Sequence, residues 1–515
     1  MNLICLLGFH GWRGCQCSKC GKFRDEGHDW SKDCEKCSKC GKGGSPHSWI
    51  GCQCSKCGKF RDEGHDWSKD CEKCSKCGKG GGPHSWTGCK CRKCPAMRDE
   101  AHQWDNCNCL VCGRTRHEWS KDHETCTRCG RVIEIATIAD LQAISNDLAG
   151  HYRLVADIDA SETKTWNNGK GFTPIGPPPA KFHSDLEIAA SFITPSGSKL
   201  EKSFEGVLDG DGHVIRNLYI NHIDEDNVGF FRFVAGGVVR NLTLVDVMVA
   251  GIQEVGCVAA YNGGTLTACQ VSGVVCGNEF VGGLAGMNQG NVSKCQASGK
   301  VSGSKFVGGL VGQNNGIKAI LGVAVSKEGS ITGCQASGEV MGNLTVGGLV
   351  GGNHGNISNC RTSVVVFAKE SGAGGMLGVN QGNISDSEAS GEVSSNGSAG
   401  GLSAVNINEG TISQCRASSA VCGNEPVGGL VAINTSTITE CLATGKVSGH
   451  KAVGGLVGMN KANISKCRAS GVTHGDVAVG GLVGANMGKI AECSSTGEVS
   501  GKECFGSQVG LENPF

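Results

Sequence analysis

Within residues 1–130, seven His residues, each in a His-x-Trp triplet, stand five or six positions ahead of three closely spaced side chains that can ligate a metal. The sets are Cys15, Cys17 and Cys20 after His10, then Cys34, Cys37 and Cys40 after His28. Cys52, Cys54 and Cys57 follow His47, and Cys71, Cys74 and Cys77 follow His65. Cys89, Cys91 and Cys94 follow His84, and Cys107, Cys109 and Cys112 follow His102. A variant set of His123, Cys126 and Cys129 follows His117. Three thiolates and one imidazole complete a tetrahedral shell for Zn2+, and Cys-x2-Cys presents two sulfurs to one ion from a single turn. His123 is informative, because exchanging sulfur for nitrogen preserves a metal site and destroys a disulfide. Closed four-ligand sites of this kind are structural and leave no position for substrate or water.

Two ligand registers fit. If each site takes the His ahead of its set, seven complete sites form and only Cys5 is left over. If each takes a Cys-x2-Cys with the next His and the next Cys, as in Cys17, Cys20, His28 and Cys34, six form in the manner of a zinc knuckle. The first register uses more of the residues. The Trp two positions after each His is expected to cover its site, since so small a module has little other core. A basic zinc module with aromatics also raises nucleic-acid binding. Residues 1–130 carry 23 Lys+Arg against 16 Asp+Glu, an excess of seven. Each zinc with three thiolates and a His contributes minus one, so six such sites lower the excess to about plus one, which weakens the case for phosphate.

The elements that carry these residues fall into two architectures. The chain has 515 residues, 33 Cys and 83 Gly, with 48 basic and 48 acidic side chains. Of the cysteines, 21 lie in residues 1–130, where segments 15–51 and 52–88 are the same 37 residues apart from Ser45 against Gly82 and Ile50 against Thr87. From Val255 a different repeat, roughly VGGLVGxNxGxIxxCxASGxVxG, starts at 255, 281, 307, 346, 373, 399, 427, 453, 479 and 505, with a degenerate copy at Val228. A fixed period of about 26 residues with alternating polar and apolar positions predicts a mainly β fold, a right-handed parallel β-solenoid with coils about 4.8 Å apart. Two ladders are expected. Asn262, Asn288, Asn314, Asn353, Asn380, Asn406, Asn434, Asn460 and Asn486 share one register, where stacked amides bond along the axis. Cys269, Cys295, Cys334, Cys360, Cys415, Cys441, Cys467 and Cys493 share another, with Ser387 in the coil that lacks the thiol, and read as small buried apolar groups.

The expected organisation is a seven-unit zinc array at 1–130, a capping helix with an irregular β lead-in at 131–227, and the solenoid at 228–515. In the lead-in, Thr137 to Leu148 reads as one helix with Thr137 as cap, Asp140 closing a capping box, and Gly150 as stop. Asp209 and Asp211 hint at calcium, but the rest of a calcium loop is missing and turn residues are expected. Ile317 to Gly329 is a 13-residue insertion, expected to loop out on one face. His-Glu-x-x-His, Gly-x-Ser-x-Gly and P-loop motifs are all absent from the sequence, and the acids Asp224, Glu225 and Asp226 read as a solvated turn, so no enzyme is expected. There is no apolar run of membrane-spanning length and no secretory leader, which points to a cytoplasmic protein. An uncapped solenoid edge makes self-association an expectation.

Residues 228–515, with their VGGLVG core, resemble tandem GLUG motifs. The lead-in segments Phe172–Gly176 (FTPIG) and Phe204–His213 (FEGVLDGDGH) are similar to those preceding such repeats in bacterial surface and adhesin-like proteins and in the non-catalytic part of IgA-specific metallopeptidases. The resemblance implies a bacterial β-solenoid used for display or adhesion, with a protein or glycan partner and a location at the cell surface. The array at 1–130 resembles zinc-ribbon-like repeats. Together these imply a non-enzymatic zinc-binding, repeat-built binding or structural protein; the alternative is a nucleic-acid-binding protein acting through the zinc array.

Overall fold

The structure, a computed structural model, describes residues 132–177, 203–317 and 327–512, together with eight two-residue strands and Ser55 nearer the N terminus. The chain divides into two compact units, Met1–Glu118 and Trp119–Phe515.

In the first unit the short strands form four antiparallel pairs, in which Trp12 faces Cys17, Trp49 faces Cys54, Trp86 faces Cys91 and Trp104 faces Cys109. These pairs fall on the four units whose first two cysteines are spaced Cys-x-Cys. Of the expected zinc ligands, only Cys17, Cys54, Cys91 and Cys109 have their backbones in these strands. The others lie outside the described residues. They are His10, Cys15 and Cys20 in the first unit of the array, and His28, Cys34, Cys37 and Cys40 in the second. They continue with His47, Cys52 and Cys57, then His65, Cys71, Cys74 and Cys77. The last are His84, Cys89 and Cys94, then His102, Cys107 and Cys112, and finally His117, His123, Cys126 and Cys129.

The second unit is a parallel β-solenoid. Each coil supplies strands to a 13-stranded, a 25-stranded and an 11-stranded sheet. In the coil that begins at Val281, Ala285–Asn288 joins the 11-stranded sheet, Asn291–Ser293 the 13-stranded sheet, and Gln296–Ser302 and Lys305–Gly308 the 25-stranded one. Each strand pairs in parallel with its equivalent one coil on, Gln296 with Gln335 and Asn288 with Asn314. The consensus dictates this path. Val281, Leu284, Val292, Cys295, Ala297 and Val301 point inward and are buried, while a residue with positive φ redirects the chain before each ladder cysteine, as at Lys294 (φ 55°) and Asn359 (φ 55°). The paired glycines let coils approach closely: a Cβ at Gly283 would lie 2.2 Å from the carbonyl oxygen of Gly309.

Both ladders form as expected. Asn262 Nδ2 donates to Asn288 Oδ1 at 2.7 Å, and the relay continues from Asn288 to Asn486 through seven further bonds of 2.8–2.9 Å. All nine side chains are buried. The relay starts at Asn262 because the preceding coil has Val234 in that register. In the cysteine ladder, the Cys269 N–H donates to Cys295 Sγ and the Cys295 N–H to Cys334 Sγ, each at 3.4 Å. Ser387 takes over the role with its hydroxyl, accepting from the Cys360 N–H at 3.1 Å. Hydrogen bonding to Cys295, then burial, pushes the Cys334 thiol up to about 12, so that thiol is protonated and inert as a nucleophile at neutral pH.

The lead-in is more regular than its sequence suggests. Ile133–Ile135, His151–Leu154 and Val207–Asp209 extend the 13-stranded sheet in parallel, and Ile158–Asp159 and Val214–Arg216 extend the 25-stranded one. These coils lack the glycine consensus because large side chains fill them instead, with Phe172 stacked on Phe230 and Phe204 on Phe231. The helix α1, Ile138–Ala143, carries the expected capping box between Thr137 and Asp140 but is shorter than predicted, passing into a 3-10 turn at Ile144–Asn146. Ile138, Leu141 and Ile144 pack into the core that Leu154 and Phe172 share. The insertion leaves the coil as an antiparallel pair, Gly316–Ile317 with Lys327–Glu328, between the strands Val311–Asn314 and Ser330–Thr332. Residues 318–326 lie outside the described residues.

Candidate functional site

A groove of 720 Å³ runs along the outside of the 25-stranded sheet. Eight successive coils line it, each with the triplet that follows the cysteine ladder: Gln270-Val271-Ser272, Gln296-Ala297-Ser298, Gln335-Ala336-Ser337, Arg361-Thr362-Ser363, Glu388-Ala389-Ser390 and Arg416-Ala417-Ser418, with Thr243–Val245 and the pair Leu442 and Thr444 at the two ends. The middle residue of each triplet points inward, so the first and third form two columns facing outward, amide, guanidinium or carboxylate on one side and hydroxyl on the other. The strand bends just beyond the hydroxyl column. There Gly273, Gly299, Gly338 and Gly391 have φ between 103° and 148°. A Cβ at Gly299 would lie 2.1 Å from the Gly273 carbonyl oxygen, so only glycine lets neighbouring coils close up at the bend.

The groove presents mainly hydrogen-bonding groups. Glu388 is the one carboxylate among its lining residues, and it is tied to Arg361, Nε to Oε2 at 3.2 Å. Glycoside hydrolysis usually needs two carboxylates flanking the scissile bond. The site is hidden in the sequence, because a residue written as x in CxASG looks variable along the chain. Only the register shows that x forms a continuous column.

Of the three acids expected in a solvated turn, Asp224 and Asp226 are exposed, but Glu225 is half-buried in an ion-paired cluster. Glu225 Oε2 pairs with the buried Arg232 at 2.7 Å and Oε1 with His222 Nδ1 at 3.0 Å, and Lys170 holds Asp224 at 2.9 Å. Burial opposes ionisation of Glu225, but His222 and Arg232 overcome it and hold the carboxyl at about 2. Asp209 is likewise spoken for, by Arg240 at 2.8 Å, Asn241 at 3.0 Å and the Asp211 N–H at 3.0 Å, and Asp211 occupies a turn with φ 46°. Among the described residues no group of three or more His, Cys, Asp or Glu is placed to hold a metal ion. The seven ligand sets of the array, from His10 to Cys129, fall outside that search apart from the strand cysteines named above.

Because the folded Glu225 titrates at about 2 rather than 4.5, its stabilisation is fully present above pH 4.5 and is lost as the pH falls towards 2. Glu225→Gln leaves Arg232 buried without its counter-charge, so the lead-in is expected to lose roughly 3 kcal/mol at pH 7. Urea titrations of both proteins at pH 7 and pH 2.5 check this: the gap should shrink at the lower pH.

Residues 475–500 match the family model described as the GLUG motif. One coil of the solenoid thus resembles a GLUG motif. Its neighbours repeat the same strands in the same register. A stretch of 148 residues is 39% identical to halomucin of Haloquadratum walsbyi (strain DSM 16790 / HBSQ001), covering 28% of this chain and 1% of halomucin. The chain thus spans a very small part of that relative. A crystal structure of a candidate immunoglobulin A1 protease from Bacteroides ovatus aligns with 61% of this chain and 76% of its own, at 18% identity and a TM-score of 0.28. Among the described residues no helix is long and apolar enough to cross a membrane.

Proposed function

We propose that this chain is a non-enzymatic binding and display protein, in which a zinc-stabilised N-terminal array accompanies a rigid solenoid that engages a glycan or protein partner at a cell surface. The observation that carries this reading is the groove, one polar triplet per coil along the solenoid with a single, ion-paired carboxylate. Repetition of this kind suits a long partner bound by many weak contacts, whose combined avidity exceeds any one of them. The stretch similar to halomucin, a mucin by name, supports a surface role. The zinc array rests on the seven ligand sets and adds no open coordination position for chemistry.

The full chain, applied to glycan and protein arrays, is expected to retain a defined set of ligands and to release no reducing sugar from any glycan it binds. Retention of nothing, or turnover of a bound glycan, overturns the proposal.

A further inference from the structure

Along the first column of the groove the residues change in a regular way. The N-terminal coils present the amides of Gln270, Gln296 and Gln335. From there onward the register places Arg361 and Arg416 on alternate coils of the groove, with Glu388 between them and Leu442 at its end, and the same register continues one coil past the lining residues to Arg468. Coils in a parallel stack are about 4.8 Å apart, so guanidinium groups recur roughly every 9.6 Å along the axis, about the length of an extended disaccharide. Arg416 and Arg468 are exposed and form no ion pair among the described residues. Arg361 gives only its Nε to Glu388, which leaves the rest of its donor fork available.

We infer that this part of the groove selects a linear polysaccharide bearing a carboxylate on every second sugar. The inference rests on the glycan side of the reading proposed above and names the class of glycan. Guanidinium groups take carboxylates through paired N–H donors. Glu388 and Leu442, on the intervening coils, offer a carboxylate repulsion or no donor, so a polymer charged at every sugar meets mismatches. The serine column across the groove supplies hydroxyl oxygens that accept from the uncharged sugar between, since Ser298, Ser390 and Ser418 already donate to carbonyls of the preceding coil, and the amides of the N-terminal coils serve where no charge is presented. An extended peptide fits less well. Between the two columns the floor is strand backbone, because middle residues such as Ala297, Ala336 and Ala389 are buried and point into the core, so it offers no pockets for side-chain anchors. Strand addition is closed as well, because these strands already pair with the coils on both sides.

The test is affinity electrophoresis of the full chain through gels containing hyaluronan, in which alternate sugars carry a carboxylate, polygalacturonate, in which every sugar does, or dextran, which has none. Hyaluronan is expected to retard the protein most, and added salt to weaken the retardation. Replacing Arg361, Arg416 and Arg468 together by Gln should lower the affinity for hyaluronan about tenfold, since each exposed pair contributes modestly. Replacing the exposed Lys461 and Lys489, which lie off this column, should leave it unchanged. All these side chains are exposed, so unchanged circular dichroism melts are expected and separate binding from folding. Equal retardation by polygalacturonate and hyaluronan overturns the alternation. Retardation by dextran that the arginine changes leave untouched overturns the charge selection while the glycan reading stands. Equal binding of poly-glutamate overturns the polysaccharide class, and no retardation by any polysaccharide overturns the glycan reading as well.

Discussion

Asn380→Asp is expected to destabilise the middle of the solenoid by about 4 kcal/mol at pH 7 and by much less near pH 3. Asn380 accepts from Asn353 Nδ2 at 2.8 Å and donates to Asn406 Oδ1 at 2.9 Å and to the Gly382 carbonyl at 3.1 Å, all without solvent contact. The substitution keeps the acceptor and the shape but turns the donor into an oxygen that faces three other oxygens, the third being the Thr411 carbonyl at 3.4 Å. An ionised carboxyl there is buried among acceptors, so its pKa in the folded chain rises above the unfolded value. The penalty is then smallest at low pH, where the protonated group restores one of the amide's donations, and grows as the pH climbs through the unfolded value near 3.9. Asn380→Leu removes both functions and is expected to cost about 3 kcal/mol at either pH. Asn383→Ala, which breaks an exposed Asn383–Asn356 bond of 2.9 Å, should stay within about 0.5 kcal/mol. Urea unfolding followed by far-ultraviolet circular dichroism at the two pH values distinguishes the three. A penalty for Asn380→Asp that does not change with pH would mean that the relay tolerates the charge by taking up water.

What was legible in the sequence is what the period controls. Inward positions recur every coil, so the two ladders, the glycine pairs and the place of the insertion stand out as columns when the repeats are aligned. The capping box was legible because Thr137 and Asp140 are local to each other. The first coils were not, since Val207–Asp209 and Val214–Arg216 are three-residue strands with no glycine signature and are held in register by phenylalanines elsewhere in the chain. The groove was hidden for a different reason. Its residues face outward, where packing does not restrict their identity, and Gln296 and Gln335 are separated by 39 positions because the insertion intervenes. A site of this kind is a property of register and emerges only when equivalent positions are stacked.

Chelation is expected to abolish the fold of residues 1–130 while leaving the solenoid intact, the largest effect proposed for this chain. Apparent binding free energies for structural zinc run to about 10–16 kcal/mol per ion, and a module with so little apolar core has nothing of that size to replace them. Elemental analysis of full-length protein purified under reducing conditions should therefore find about seven zinc ions if each site takes the His ahead of its set, and about six if the sites straddle successive sets as knuckles. The two registers differ most at the end of the array, where Cys126 and Cys129 hold zinc with His117 and His123 in the first and are left without a site in the second. After chelation, exposed thiols should rise by about the number of cysteines in the array above a baseline set by the exposed Cys422 and Cys504, while the β signal of the solenoid, whose ladder thiols such as Cys334 are buried and protonated, should not change. The same samples test the nucleic-acid alternative. With zinc bound, the array's charge excess of seven falls to about one, so weak salt-sensitive retention on single-stranded RNA is the most that charge alone supports. Retention that is strong and disappears on chelation would require a shaped surface made by the folded modules, and would move the function from the solenoid to the array. Near-zero metal with oxidised thiols would instead make the cysteines a disulfide framework formed outside the cell. His123 could then have no part in it, because imidazole cannot replace a sulfur in a disulfide.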